Sequence, residues 1–334
     1  MACYHPLTGY DLTPKYFTCQ ETRKIVFNVN PVLASELSRQ GRVLSIPCGQ
    51  CIGCRLEYSR QWANRCMLEL PYHDQAWFVT LTYDDAHVPK TFSVDPETGE
   101  AISPVMTLRK RHFQLFMKQL RYRFSGDHIR FFAAGEYGTN SLRPHYHAIL
   151  FGLHLKDLVL YKRSVLDYPY FNSESLSRCW VDSSDGSQRG YVVAGAVSWD
   201  TCAYVARYIL KKQKGATASV YQELNIEPEF SLMSRKPGIG RQYYDDHPDM
   251  FKYDKINVKT PAGGRSFTHP LYLRRLYEID DPVGSFELSE KRRLNAVDNV
   301  SLKTSLTDLD YYDILISSEQ RKERSLKSLF RTTI

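Results

Sequence analysis

The chain has 334 residues, 43% of them hydrophobic, and a formal net charge of +7. That supports two modest domains, or one domain with extensions. No apolar run approaches the ~18 residues of a membrane helix, the N-terminus has no charged-then-apolar leader, and no GxxxxGK[ST] loop occurs. The expectation is a soluble, non-secreted protein that is not an ATP-driven motor.

Composition divides the chain into a cysteine-rich segment with a linking helix at 1–70, a core at 71–215 with an insertion at about 153–190, and a C-terminal extension at 216–334. The first segment is turn-rich, with a strand near Ile25 to Val29. Of eight cysteines, Cys48, Cys51 and Cys54 stand in CysGlyGlnCysIleGlyCys. Cys-x2-Cys-x2-Cys lets thiolates converge on one ion, and Gly49 and Gly53 permit the sharp turns, so structural zinc is expected. Cys3 is the first choice for fourth ligand, with Cys19, Cys66 and His5 as alternatives. From Arg55 to about Leu70 the apolar spacing is helical, and Pro71 stops it.

Ala76 to Tyr83 reads as the first core strand, with Trp77, Val79 and Leu81 on one face and Phe78, Thr80 and Thr82 on the other. Residues 84–107 read as loop. A basic helix follows from about Leu108 to Phe124, burying Phe113, Phe116, Met117 and Leu120. Residues 104–124 hold Arg109, Lys110, Arg111, Lys118, Arg121 and Arg123 with no acid, which fits a polyanion partner.

Ile129 to Gly138 and Pro144 to Phe151 read as two strands of a hairpin. On the second, His145 and His147 point the same way, and the hairpin lays Glu136 beside them. Two imidazoles and a carboxylate, without sulfur, suit Mg or Mn acting as a Lewis acid. Tyr191 to Val197 reads as a further strand, and Asp200 or Thr201 as the cap of a helix over Ala203–Lys212. In that helix Tyr204 and Tyr208 share a face, and each is followed three residues later by a cation, Arg207 and Lys211. A nucleophile beside a positive charge suits attack on phosphorus. Near 231–241, Arg235, Lys236 and Arg241 stand in a Gly/Pro loop whose amides could meet phosphate. The last fifty or so residues read as helices or a tail.

The motifs resemble a known family. PheValThrLeuThrTyrAspAsp, GlyGluTyrGly followed by ArgProHisTyrHis, and TyrValAlaArgTyrIleLeuLysLys, in that order, are similar to the three motifs of HUH rolling-circle replication initiators. The gokushovirus type of microvirus initiator also resembles this chain in CysTyrHisPro, ProCysGlyGlnCysIleGlyCysArg and MetSerArgLysProGlyIleGly, so the likeness covers roughly residues 1–245.

The resemblance implies an α+β fold, a central antiparallel sheet of about five strands with packed helices. It implies a metal-dependent single-strand endonuclease and strand-transferase that nicks the viral origin, leaves a 5′-phosphotyrosine and a free 3′-hydroxyl, and later rejoins the strand. Carried over, His145, His147 and Glu136 are metal ligands, Tyr204 and Tyr208 nucleophiles, and Lys211 the motif lysine. Arg207 departs from the lysine pattern, and an arginine cannot relay protons, which favours Tyr208 with Lys211. Arg109, Lys110, Arg111, Arg143, Lys212, Arg235, Lys236 and Arg241 are the expected DNA contacts. Helicase and polymerase would come from the host, in whose cytoplasm the protein works. The rival readings are a non-enzymatic, zinc-stabilised single-stranded nucleic-acid-binding protein and a metal-dependent hydrolase using activated water.

Overall fold

The computed structural model describes residues 3–13, 24–95, 97–138, 141–164, 167–207, 212, 218–260 and 263–329. Contacts group Met1–Tyr58 with Leu271–Thr333 in one unit and gather Ser59–Pro270 in another. Composition suggested divisions at 70 and 215 instead, because association between the two ends of a chain leaves no local mark.

In the first unit β1 (Leu7–Asp11) lies between β2 (Ile25–Val26) and β3 (Val43–Ile46), all antiparallel. Between β2 and β3, α1 (Pro31–Arg39) begins where the Asn30 side chain accepts the Leu33 amide at 2.8 Å, with Pro31 in the first turn. The helix α2 (Ile52–Glu69) starts at the cysteine knuckle and runs into the second unit, where Pro71 introduces a 3-10 turn at Leu70–Tyr72.

The second unit continues with β4 (Ala76–Thr82), β5 (Lys90–Val94), β6 (Ala101–Met106), α3 (Lys110–Arg123), β7 (Arg130–Tyr137) and β8 (Pro144–Phe151). After these come β9 (Leu158–Arg163), β10 (Pro169–Ser173), α4 (Glu174–Ser177), β11 (Val192–Ala196), α5 (Trp199–Arg207), α6 (Val220–Glu223) and β12 (Phe230–Met233). It closes with α7 (Arg241–Asp246), β13 (Ile256–Thr260) and β14 (Gly263–Phe267). The first unit then regains α8 (Leu271–Asp280), α9 (Pro282–Ser305) and α10 (Tyr311–Leu329). No described helix is long and apolar enough to cross a membrane.

The class is α+β, built on one antiparallel sheet of seven strands in the order β12-β7-β8-β4-β11-β10-β9. This corrects the expected count of about five. The 153–190 insertion supplies β9 and β10, and the C-terminal extension supplies β12. β9 is an edge strand with exposed Val159, Leu160 and Tyr161, so it carries no alternating apolar signature. Residues 84–107 are likewise not all loop, since β5 and β6 form a hairpin whose turn hydrogen-bonds the Asp95 amide to the Glu100 carbonyl at 2.9 Å.

The two sheet faces have different covers. On one, Phe113, Phe116, Met117 and Leu120 of α3 pack against Val79, Leu81, Ala133, Tyr146, Ala148 and Leu150. On the other, Trp62, Cys66 and Met67 of α2 and Cys202, Val205 and Ala206 of α5 cover Phe78, Phe132, Ala134, Ile149 and Phe151. Burying one such Phe or Ile stabilises the fold by about 1.5–3 kcal/mol. The alternation in β4, β7 and β8 therefore decides which side chains look toward α5 and which toward α3.

Candidate active site

The β7–β8 hairpin closes with the Gly138 amide donating to the Arg143 carbonyl at 2.9 Å. Its register sets Glu136 opposite His145 and Ala134 opposite His147, while β4 sets Thr80 opposite His147 and Thr82 opposite His145. Directly paired residues share a face, so Glu136, both histidines, Thr80 and Phe78 all lie on the side covered by α5. His147 Nε2 stands 3.0 Å from Glu136 Oε1, both side chains buried. Its Nδ1 stands 3.1 Å from Thr80 Oγ1. Phe78 stacks on the His147 ring with centroids 5.9 Å apart and planes at 3°. The two imidazole rings lie 6.4 Å apart and nearly parallel. Thr80 and Phe78 were legible as one face, but which histidine they hold depended on strand pairing.

α5 is capped by Ser198, not by Asp200 or Thr201 as expected. Ser198 Oγ accepts the Thr201 amide at 3.2 Å and Thr201 Oγ1 accepts the Ser198 amide at 2.8 Å, a reciprocal box that a scan for single cap residues misses. Burial of Cys202, Val205 and Ala206 turns the half-buried Tyr204 onto the histidine strand. Its ring meets His147 edge-on, with centroids 5.7 Å apart at 82°, and meets Phe78 at 5.9 Å and 80°. The Arg207 guanidinium lies 5.8 Å from the Tyr204 ring, a cation–π contact. Tyr208 and Lys211 lie outside the described residues.

Beside His145 opens a cleft of about 370 Å³, lined also by Thr82, Tyr83, Asp84, Asp85, Arg143 and Tyr191. Arg143 is held there, donating to Asp85 Oδ1 at 2.8 Å and twice to the Tyr83 carbonyl, at 3.0 and 3.3 Å. Asp84 accepts the His87 amide at 2.8 Å and lies 2.7 Å from His87 Nδ1. Burial opposes the charge on Asp84, but the His87 contacts outweigh it and hold the carboxyl below its usual range.

The remaining basic residues are dispersed. α3, with exposed Arg111, covers the face opposite the histidines. At its start Arg109 pairs with Glu227 at 3.3 Å, and Lys110 places its ammonium 5.4 Å from the Phe230 ring. Lys212 is half-buried, and Arg241 pairs with Asp245 at 2.8 Å. Arg235 and Lys236 are exposed, but the loop carrying them is braced from within. The Gly240 amide, expected to be available to phosphate, donates to buried Glu69 Oε2 at 2.6 Å. Arg65 and Arg130 donate to the Ile239 and Pro237 carbonyls, each at 3.0 Å.

Among the described residues, Cys3, Cys48, Cys51 and Cys54 are the one group of three or more metal-ligating side chains whose donor atoms all lie within 4.8 Å of each other. Glu136, His145 and His147 share a face without that convergence.

Residues 76–213, which contain the histidines, the glutamate and both tyrosines, match the family model for replication-associated protein ORF2. The chain is 29% identical to the replication-associated protein ORF2 of Spiroplasma virus 4 over 346 residues, covering 99% of this chain and 98% of that protein. It is 25% identical to replication-associated protein VP4 of Bdellovibrio phage phiMH2K, covering 83% and 81% of the two chains. With replication-associated protein ORF4 of Chlamydia phage 1 the identity is 30%, over 50% of this chain and 38% of that one. No solved structure matches. The chain belongs with the replication-associated proteins of microviruses, the family its motifs resemble.

Proposed function

We propose that the protein acts in the initiation of phage DNA replication, nicking single-stranded origin DNA by tyrosine attack and later rejoining it. The observation that carries this reading is the position of Tyr204, edge-on to His147 on the sheet face that also holds Glu136 and His145. A nucleophile and a metal-ligating set come together there from three strands and a helix. The relatives' printed names support the replication role.

Two imidazoles and a carboxylate without sulfur fit a divalent ion such as Mg or Mn, and His145, His147 and Glu136 are the residues that would hold it. Bound there, the ion supplies positive charge to the non-bridging oxygens of a scissile phosphate. The rest falls to the chain itself. Thr80 and Phe78 orient the His147 ring, and Arg207 brings positive potential to the tyrosine helix, with Lys211 proposed alongside it.

In the nicking step the phenol of Tyr204 or Tyr208 loses its proton and its oxygen bonds to phosphorus. The P–O3′ bond breaks, and O3′ takes up a proton and leaves as a free 3′-hydroxyl. Attack of a 3′-hydroxyl on the phosphotyrosine reverses these changes and reseals the strand. The exposed Arg235 and Lys236 are proposed contacts for the DNA backbone.

The test uses single-stranded origin DNA labelled at its 3′ end, Mn or Mg, and a denaturing gel. A labelled covalent adduct is expected, lost when Tyr204→Phe and Tyr208→Phe are combined. Cleavage without an adduct means activated water does the cutting. DNA binding without cleavage, unchanged in both variants, means a non-enzymatic binding protein.

A further inference from the structure

The geometry points to a structural zinc centre formed by Cys3, Cys48, Cys51 and Cys54, which fastens the N-terminal end of the chain to the first turn of α2. In a tetrahedral ion with zinc–sulfur bonds of about 2.3 Å, neighbouring sulfurs stand roughly 3.8 Å apart. Here all four Sγ atoms lie within 4.8 Å of one another, and the Cys51 and Cys3 sulfurs are 3.9 Å apart. A disulfide joins two sulfurs at about 2.05 Å and gives no reason for four to share one point. Iron–sulfur clusters place inorganic sulfide and several irons between their thiolates and hold them farther apart.

The backbone is shaped for thiolates. The Gln50 and Cys51 amides point at Cys48 Sγ from 3.4 and 3.3 Å, the Cys48 amide at Cys3 Sγ from 3.3 Å, and the Tyr4 amide at Cys51 Sγ from 3.4 Å. Gly49 makes this turn in the left-handed region, with φ of 73°. Cys54 stands in the first turn of α2, where unpaired amides favour negative charge. Four thiolates complete a tetrahedral shell, leaving no position for water or substrate, so the centre is structural.

The structure also decides among the ligands that spacing left open. His5 Nε2 is bound to Glu319 Oε2 at 2.7 Å, and Cys66 is fully buried in the second unit among Trp62, Phe132 and Cys202. Cys19 lies outside the described residues, and Cys3 supplies the fourth sulfur.

The test is the full-length protein purified anaerobically. One zinc per chain is expected, unchanged in Cys66→Ala and lost in Cys51→Ser. Exchange for cobalt should give the intense visible bands of a tetrahedral all-thiolate site. Cys51→Ser can fail by misfolding, so Cys3→His serves beside it, keeping four ligands. It should retain one ion per chain, with the cobalt spectrum moved to that of three thiolates and one imidazole. Zinc well below one per chain in the wild-type protein, an octahedral cobalt spectrum, or a Cys3→His spectrum identical to wild type overturns the assignment. None of these readouts depends on DNA cleavage, so the centre and the nicking reaction stand or fall separately.

Discussion

Tyr204 meets His147 edge to face, its ring centroid 5.7 Å from the imidazole and its plane turned by 82°. An aromatic edge carries the positive end of the ring quadrupole and favours the electron-rich face of a neutral imidazole. His147 is thereby packed between Tyr204 and Phe78 while Thr80 and Glu136 hold its two nitrogens.

That arrangement makes Thr80 the residue to test for orientation. Thr80→Val keeps the shape but removes the oxygen 3.1 Å from Nδ1. Metal-dependent cleavage should fall about 10- to 100-fold, the usual cost of losing a partner behind a ligating histidine. Single-turnover kinetics should show the loss while DNA binding without metal is unchanged. Full activity would mean that ring packing alone orients His147.

Glu69 braces the 235–241 loop through Gly240, Arg130 and His73. Burial works against its charge, but these partners outweigh that and hold its carboxyl below the usual range. Its stabilising contribution is therefore present above the ordinary carboxylate pKa and lost as pH falls through the lowered one. Glu69→Ala should cost about 3–5 kcal/mol in urea unfolding, since it leaves Arg130 facing an empty partner site.

His112 adds a second pH dependence, in a higher window. Burial, then the charge of Arg189, pushes its pKa down to about 4. Arg189 can only donate, so His112 Nδ1, 3.2 Å from Nη1, is an acceptor and the ring is neutral. Against an unfolded value of ~6.5, this stability is complete above that pH and declines toward pH 4. Solvent screening of the partly exposed ring holds the loss to about 1–2 kcal/mol. His112→Gln should flatten the wild-type fall in melting temperature between those pH values. An unaltered slope would assign it to other groups.

The α3 helix covers the sheet face away from the histidines, which limits what its charges can do. Arg111→Glu and Lys118→Glu should leave cleavage of a short origin oligonucleotide within about twofold of wild type. If either residue contacts phosphate, affinity drops and the slope of log affinity against log salt falls by about one per contact.

Period-two alternation made β4, β7 and β8 legible, together with the shared face of His145 and His147. The 3.6-residue period made the buried stripe of α3 legible in the same way, and all four of its apolar residues are buried. The β5–β6 and β9–β10 hairpins were not legible, because strands that are short or lie at a sheet edge need not alternate. The 235–241 loop misled for a different reason. A Gly/Pro-rich basic stretch advertises free amides, and only folding brings Glu69 from 171 positions away to take one.

By itself the sequence determined the chemistry available: a His-x-His strand, a carboxylate across a hairpin, tyrosines followed by cations, and a cysteine knuckle. These rest on backbone periodicity and short turns, which are local. Tertiary structure decided which groups meet. It brought Tyr204 onto His147 and added Thr80 and Phe78 from a neighbouring strand. It chose Cys3 over His5 and Cys66, and turned the basic helix to the opposite face. Each of those outcomes depends on long-range packing of one apolar face against another, and no local spacing encodes it.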